Sequence, residues 1–388
     1  MVIGYSAKHM LEEEGQLGLF GRLTVEAMAE HFQHDDYILY APDTKNDTTC
    51  INNLLVHSSV HLKTPHSSGF GNDNSKAIVQ ATHRHGVQVF HGLATDIPEG
   101  LERNGIATVL TVGNLLHKHY PERYSWTERF FINRAFKKAL KSVDAVVAMS
   151  EFSKSEIVDQ YGVDPEKIRV IMPVCEKVFA ESVSDEAKKV HRQRFGLPER
   201  YILVPGMLDE RYNMLKVVDA LAKLGDDELG IVVIGHRNGY YQKIKAHAAH
   251  LELPNPIVRI RERYNAAFNV VYAMASVVAY PSRYECASMP IMRCLSCGTP
   301  VVAATGSCME EYGGDAALYF NPDSADELAD AISRAMARSV KHSWRPPRCK
   351  TRSSPRCAWP PSTANSTTNC EATRNINNIN ISEHGKSN

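Results

Sequence analysis

The residues best placed to do chemistry lie between Tyr280 and Val302, in YPSRYECASMPIMRCLSCGTPVV. An apolar run ends near Ser282, a polar loop carries Glu285, and Pro290 stands where a helix would begin. Proline suits that position because its missing N–H has no partner there anyway. Gly298 suits the left-handed residue that closes a helix, and TPVVAA then reads as the next strand. This spacing predicts a short helix whose open N–H groups are ready for a diphosphate. Glu285, just ahead of it, is a carboxylate that can accept hydrogen bonds from sugar hydroxyls. An ordinary strand–loop–helix–strand unit would account for any one of these residues taken singly.

Other reactive side chains carry less. The nine cysteines are scattered, and Cys294 and Cys297 form the one close pair, without a second pair at zinc-ribbon spacing. His83, His85, His117 and His119 form no triplet with a metal-ligand context, so they read as solvated or hydrogen-bonded, and no metal site is expected. Ser150 in SEFS fits a helix N-cap better than a nucleophile, because the Gly-x-Ser-x-Gly elbow is missing.

Positioning these residues falls to alternating strands and helices. VIGYSA, YILYAP, VQVFHGL, ATVLTVG, AVVAMS and IRVIMP read as strands in the first half; YILVPGM, GIVVIG, VVAYPS and PVVAA follow. Near-continuous apolar strands between amphipathic helices imply parallel sheets covered on both faces. The charged stretch ESVSDEAKKVHRQRFG reads as a linker. The expected architecture is therefore α/β, with two Rossmann-like domains at 1–180 and 181–338 facing an interdomain cleft, since ligands of such sheets bind beyond the strands' carboxyl ends. Residues 339–388 are expected to be a disordered or out-of-frame tail. From residue 341 on they hold five of the prolines and seven asparagines without periodicity.

Composition narrows the function. Hydrophobic residues make up 43% of the 388, enough for sizeable cores. Lys plus Arg and Asp plus Glu both number 44, so the strongly basic balance of a nucleic-acid binder is missing. No apolar run is long enough to span a bilayer, and MVIGYSAKHM reads as a first strand rather than a secretory signal, which implies a cytoplasmic protein. SWTERFFINRAFKKALK, at 125–141, reads as a basic amphipathic helix with Phe130, Phe131, Phe136 and Leu140 as its apolar positions. Such a helix either packs on the core with a solvated basic face or lies peripherally on the inner face of a membrane.

Taken whole, the Tyr280–Val302 segment resembles the donor-site signature of glycosyltransferase family 4, the retaining transferases of GT-B fold. Tyr280, Pro281, Ser282, Tyr284, Glu285, Pro290, Cys297, Gly298, Thr299 and Pro300 all match it. GMLDERYN, at 206–213, is similar to the family's phosphate loop, with Gly206 and Arg211 in register. SEFSKSEIVDQYGVDPEKIRVI and GDAALYFNPDSADELADAI also look like family segments, and the resemblance runs over about residues 1–338. It implies a metal-independent hexosyltransferase that uses a nucleotide sugar of UDP or GDP type as substrate, with no cofactor, and a glycan or lipid-linked acceptor. Glu285 would be catalytic, through its hold on the donor sugar. Gly206, Arg211, Ser282, Met289, Pro290 and Arg293 would line the donor side. Gly18, in LGLFGR, His91 and Asn114 would line the acceptor side.

The sequence departs from the family where the chemistry happens. Arg293 stands eight residues after Glu285, where relatives carry a second glutamate for the ribose hydroxyls. Losing that charged acceptor forfeits roughly 1.5–3 kcal/mol. Tyr212 replaces the lysine that neutralises the leaving diphosphate, Cys286-Ala287-Ser288 replaces a glycine-rich loop, and Gly113 and Asn114 replace a His-Asp pair. These departures leave an alternative open: a catalytically impaired paralogue that binds a nucleotide sugar or a glycan. Arg293 itself has two readings, a lesion or a substitute cation for the phosphates.

Overall fold

The computed structural model describes residues 1–11, 16–41, 48–65, 75–235, 238–260 and 268–337. The expected tail at 339–388 lies outside the described residues. The chain divides between Pro173 and Val174 into two compact units. Residues 174–180, which the sequence grouped with the first domain, pack on the second: Asn269 Nδ2 donates to the Val178 carbonyl at 3.0 Å.

The first unit holds a parallel sheet of β1 (Val2–Ser6), β2 (Asp36–Tyr40), β3 (Val60–Lys63), β4 (Val89–Leu93), β5 (Ala107–Val112), β6 (Ala145–Ala148) and β7 (Ile168–Val170). Its order is β3-β2-β1-β4-β5-β6-β7. The second unit holds β8 (Arg200–Val204), β9 (Leu229–Ile234), β10 (Ile257–Ile260), β11 (Val277–Tyr280), β12 (Val301–Ala304) and β13 (Leu318–Phe320), all parallel, in the order β10-β9-β8-β11-β12-β13. The central strands are apolar on both faces because helices cover both; Tyr201, Ile202, Leu203 and Val204 are fully buried, as are Val277 to Tyr280.

Each sheet reverses its strand order once, between β1 and β4 and between β8 and β11. Crevices at the carboxyl ends of strands open at such reversals, and ligands of this fold bind there. The sequence reading therefore has the architecture of each unit right but misses three strands, β3, β10 and β13. Its linker is also corrected. Asp185–Phe195 is a helix, started by Ser184, whose side chain accepts from the Ala187 N–H, and closed by Gly196 in the left-handed conformation.

Candidate active site

In the second unit, the loops that follow β8 and β11 meet. The Arg283 N–H donates to the Arg211 carbonyl at 3.0 Å, which ties them together through their backbones. Asp209 starts a turn at Glu210–Tyr212 by accepting from the Arg211 N–H at 2.8 Å, and Asn213 ends it with φ of 53°. Asn is one of the few side chains that tolerates this left-handed backbone.

That turn aims the Arg211 guanidinium at Glu285. Arg211 Nη1 donates to Glu285 Oε1 at 2.7 Å and to the Tyr284 carbonyl at 2.6 Å. Tyr280 Oη and Ser282 Oγ also donate to Glu285 Oε1, each at 2.8 Å. Among the described residues, every hydrogen bond to this carboxylate therefore converges on one oxygen. Glu285 and Arg211 are both buried. Burial pushes the Glu285 carboxyl up, and the Arg211 charge and the two hydroxyl donors pull it back. Ser282 thus acts on Glu285, as does Tyr280, a position that the sequence marks only as a motif match.

The Met289–Cys297 helix begins as expected, with Pro290 in its first turn and Gly298 closing it at φ of 73°. Among the described residues, the Ser288 hydroxyl at its start is buried without a hydrogen-bond partner, and so is that of Ser307 after β12. Ser288 has φ of −123°, and no residue of the 286–288 loop takes a positive φ. The missing glycines therefore leave no backbone strain in this loop.

Tyr212 and Arg293 both pack within the unit. Gly206 has φ of +130°, and a Cβ there would lie 2.4 Å from the Tyr212 ring. The ring thus occupies the space beside the glycine, with the Arg211 guanidinium 4.1 Å from its centroid. Arg293 is paired within the chain. Its Nε donates to Glu176 Oε2 at 3.2 Å, its Nη2 reaches Glu176 Oε1, and its guanidinium lies 5.0 Å from the Phe179 ring centroid. Arg293 is buried and Glu176 nearly so, and this bidentate pair fastens residues 174–180 to the helix. Glu176 gave no signal in the sequence, because its partner lies 117 residues away.

The first unit places its candidates separately. His91, on β4, is buried with Nε2 2.7 Å from Thr111 Oγ1, while its Nδ1 and the nearby Tyr5 hydroxyl are buried without partners among the described residues. Burial holds the imidazole down at about 4, so it is neutral at pH 7. Gly18 does make a close approach, but to this chain's own backbone: a Cβ there would lie 2.2 Å from the His9 carbonyl oxygen. A Cβ on Gly113 would touch Leu17 at 3.2 Å, so Leu17 fills the space beside it. Asn114 is exposed, and its Oδ1 accepts from the Leu116 N–H at 3.2 Å. Among the described residues, no group of three or more His, Cys, Asp or Glu is arranged to hold a metal.

The family described as Glycosyl transferases group 1 matches residues 185–345, and that described as Glycosyltransferase Family 4 matches residues 23–173. The chain belongs to the group 1 glycosyltransferases. Among curated relatives, the O-antigen chain mannosyltransferase RfbU of Salmonella typhimurium is 25% identical over 235 residues, 58% of this chain and 62% of its own. The O-antigen chain mannosyltransferase B of Escherichia coli is 25% identical over 278 residues, 66% of each chain. The match thus spans just under two thirds of either relative's length. Solved structures share the fold. A Rickettsia africae glycosyltransferase superposes with a TM-score of 0.68 at 18% identity, covering 87% of this chain and 88% of that one. The Anabaena protein HepE, solved in complex with UDP and glucose, gives a TM-score of 0.68 at 18% identity, covering 87% and 90%.

Proposed function

We propose that this group 1 glycosyltransferase moves a hexose from a nucleotide sugar of UDP or GDP type to a glycan or lipid-linked acceptor, with retained anomeric configuration. The observation that carries this reading is the buried Glu285 carboxylate at the β8/β11 reversal. Arg211, Tyr280 and Ser282 fix its orientation through one oxygen. Donors that hold one oxygen preorganise the carboxylate, so its hydrogen bonds to a sugar require no rearrangement at the moment of reaction. In this reading the diphosphate rests at the start of the Met289–Cys297 helix, where open N–H groups and the Ser288 hydroxyl await an acceptor. Protein groups rather than a metal then meet its charge.

The bond from the anomeric carbon to the phosphate oxygen breaks as the acceptor oxygen bonds to the same face of that carbon. The acceptor's proton passes to the departing phosphate. Only one glutamate matches the donor motif, so the pair of close carboxylates that retaining glycosidases use is not invoked.

A second reading, a nucleotide-sugar or glycan binder without turnover, is favoured by one observation: the Tyr212 ring beside Gly206, where a lysine would otherwise meet the phosphates. Incubating the full chain with UDP- and GDP-sugars and a panel of glycan and lipid-linked acceptors separates the two. Nucleotide release with a glycosylated product in the mass spectrum is expected. Calorimetric binding with neither product across the panel would favour the binder.

A further inference from the structure

The Trp126–Ser142 helix has two apolar faces, where the sequence pattern suggested one. Phe136, Ala139 and Leu140 point inward and belong to the core beneath β5 and β6. Phe130 and Phe131 do not join them. They are 53% and 65% exposed, beside Trp126 at 77%. The three rings pack on one another, with centroids 6.1 Å apart for Trp126 and Phe130 and 5.6 Å for Phe130 and Phe131. They are among the few large apolar side chains of the described residues that are exposed, and they stand together within two turns of one helix. Folding therefore does not require them, whereas an aromatic cluster held in water carries a standing free-energy cost.

The charges along the helix say what would cover it. After the rings, the outward positions are Arg134, Lys137, Lys138 and Lys141, all exposed. The helix contains one acid, Glu128, and a capping box holds it: its carboxylate accepts from the Ser125 N–H and hydroxyl at 2.7 Å each. At a period of 3.6 residues per turn, the rings and the four cations share one side of the helix, opposite the buried face; Lys138 pairs with Glu99, which leaves Arg134, Lys137 and Lys141 to face outward charge. Rings and cations on a single face match the acyl boundary and the anionic headgroups that a helix lying in the interface meets together. Among the described residues no helix is long and apolar enough to cross a membrane, so contact would be lateral.

We propose that this outward face docks on a bilayer containing anionic phospholipid, with Trp126, Phe130 and Phe131 entering the headgroup–acyl boundary while Arg134, Lys137 and Lys141 meet the phosphates. The proposal does not depend on whether the protein transfers sugar.

The test uses the full chain and sedimentation with vesicles of phosphatidylcholine alone or mixed with phosphatidylglycerol. Binding to the mixed vesicles is expected, weakening as salt rises. The variant Trp126→Ser, Phe130→Ser, Phe131→Ser should lose at least about tenfold in partitioning. The variant Arg134→Gln, Lys137→Gln, Lys141→Gln should lose the preference for phosphatidylglycerol. Both should melt within a few degrees of the parent, because the side chains they alter are exposed. Bromine-labelled acyl chains should quench a component of the parent's fluorescence that Trp126→Phe removes, which tests insertion without relying on the multiple variants. Equal partitioning of parent and both variants would overturn the proposal, as would no binding to mixed vesicles. It would also fall if a concentration-dependent dimer of the parent were abolished by the aromatic variant, since the face would then belong to a second copy.

Discussion

The carboxyl edges of the two sheets differ in how they handle charge. At the β8/β11 edge the charges are answered within the unit: Arg211 by Glu285, and Arg293 by Glu176. At the β1/β4 edge no such charge pair forms around His91 among the described residues; both edges bury polar atoms without partners there, His91 Nδ1 and Tyr5 Oη in the first and Arg211 Nε, Ser288 Oγ and Ser307 Oγ in the second. In both, a bulky side chain lies against a glycine, Tyr212 beside Gly206 and Leu17 beside Gly113. The difference teaches where each edge is vulnerable. The second unit is sensitive to any change of charge. The first tolerates a neutral imidazole and is sensitive to its protonation.

The largest expected effect comes from reversing one charge at the second edge. Arg293→Glu would set two carboxylates against each other at a buried position. Breaking such a pair costs about 3–5 kcal/mol. Thermal unfolding should show the loss, and adding Glu176→Arg should recover most of it. This recasts the question of Arg293. Weaker nucleotide binding in Arg293→Glu would not by itself report on phosphates, so titrations with UDP and GDP need the charge-swapped double variant. If Arg293→Glu melts like the parent, the Glu176 pair is not what holds this helix.

A smaller effect is expected at Gly206. Alanine there must adopt a φ of +130° and place its Cβ against the Tyr212 ring, so Gly206→Ala should lose about 1–3 kcal/mol in denaturant unfolding. Trimming the ring with Tyr212→Ala should return the steric part of that loss and leave the backbone part. Full recovery would mean that the backbone carries no strain.

The first edge should reveal itself through pH. The imidazole of His91 titrates near 4 in the folded chain and near 6.5 when exposed, so between those values the unfolded state binds the extra proton. Stability therefore falls on acidification through that window, by up to roughly 3 kcal/mol at its acid end. The ring of His117, lowered to about 4 by burial, adds a second contribution in the same direction. Urea unfolding of His91→Gln across this range should show a shallower decline than the parent. Identical slopes would mean that His91 is not the buried neutral group this contrast requires.

The legible parts of the molecule were those whose signals are local. Apolar runs marked the central strands, and Pro290 and Gly298 bounded their helix correctly. The strands that were missed are short or poorly buried: β13 has three residues, and in β10 only Ile260 is buried. Asp185–Phe195 has no buried residue at all, so it showed no apolar period, and only its two caps betray it. The site was legible as a set of residue types but not as a set of partners. Glu285 was identified from its motif, whereas its bond from Arg211 joins residues 74 apart. Likewise the helix of Phe130 and Phe131 looked singly amphipathic, because a sequence pattern does not say which of two apolar faces meets the core.

The central claim is that Glu285 serves the donor sugar rather than the nucleotide. Two readouts on the parent and on Glu285→Gln test it together: turnover of the nucleotide sugar that the panel identifies, and calorimetric affinity for the matching free nucleoside diphosphate. The amide keeps the size of the carboxylate and an acceptor oxygen for Arg211, Tyr280 and Ser282. The account predicts a loss in turnover of at least about tenfold, or 1.4 kcal/mol in the barrier, with nucleotide affinity nearly unchanged. Turnover equal to the parent's in a folded Glu285→Gln protein would contradict it.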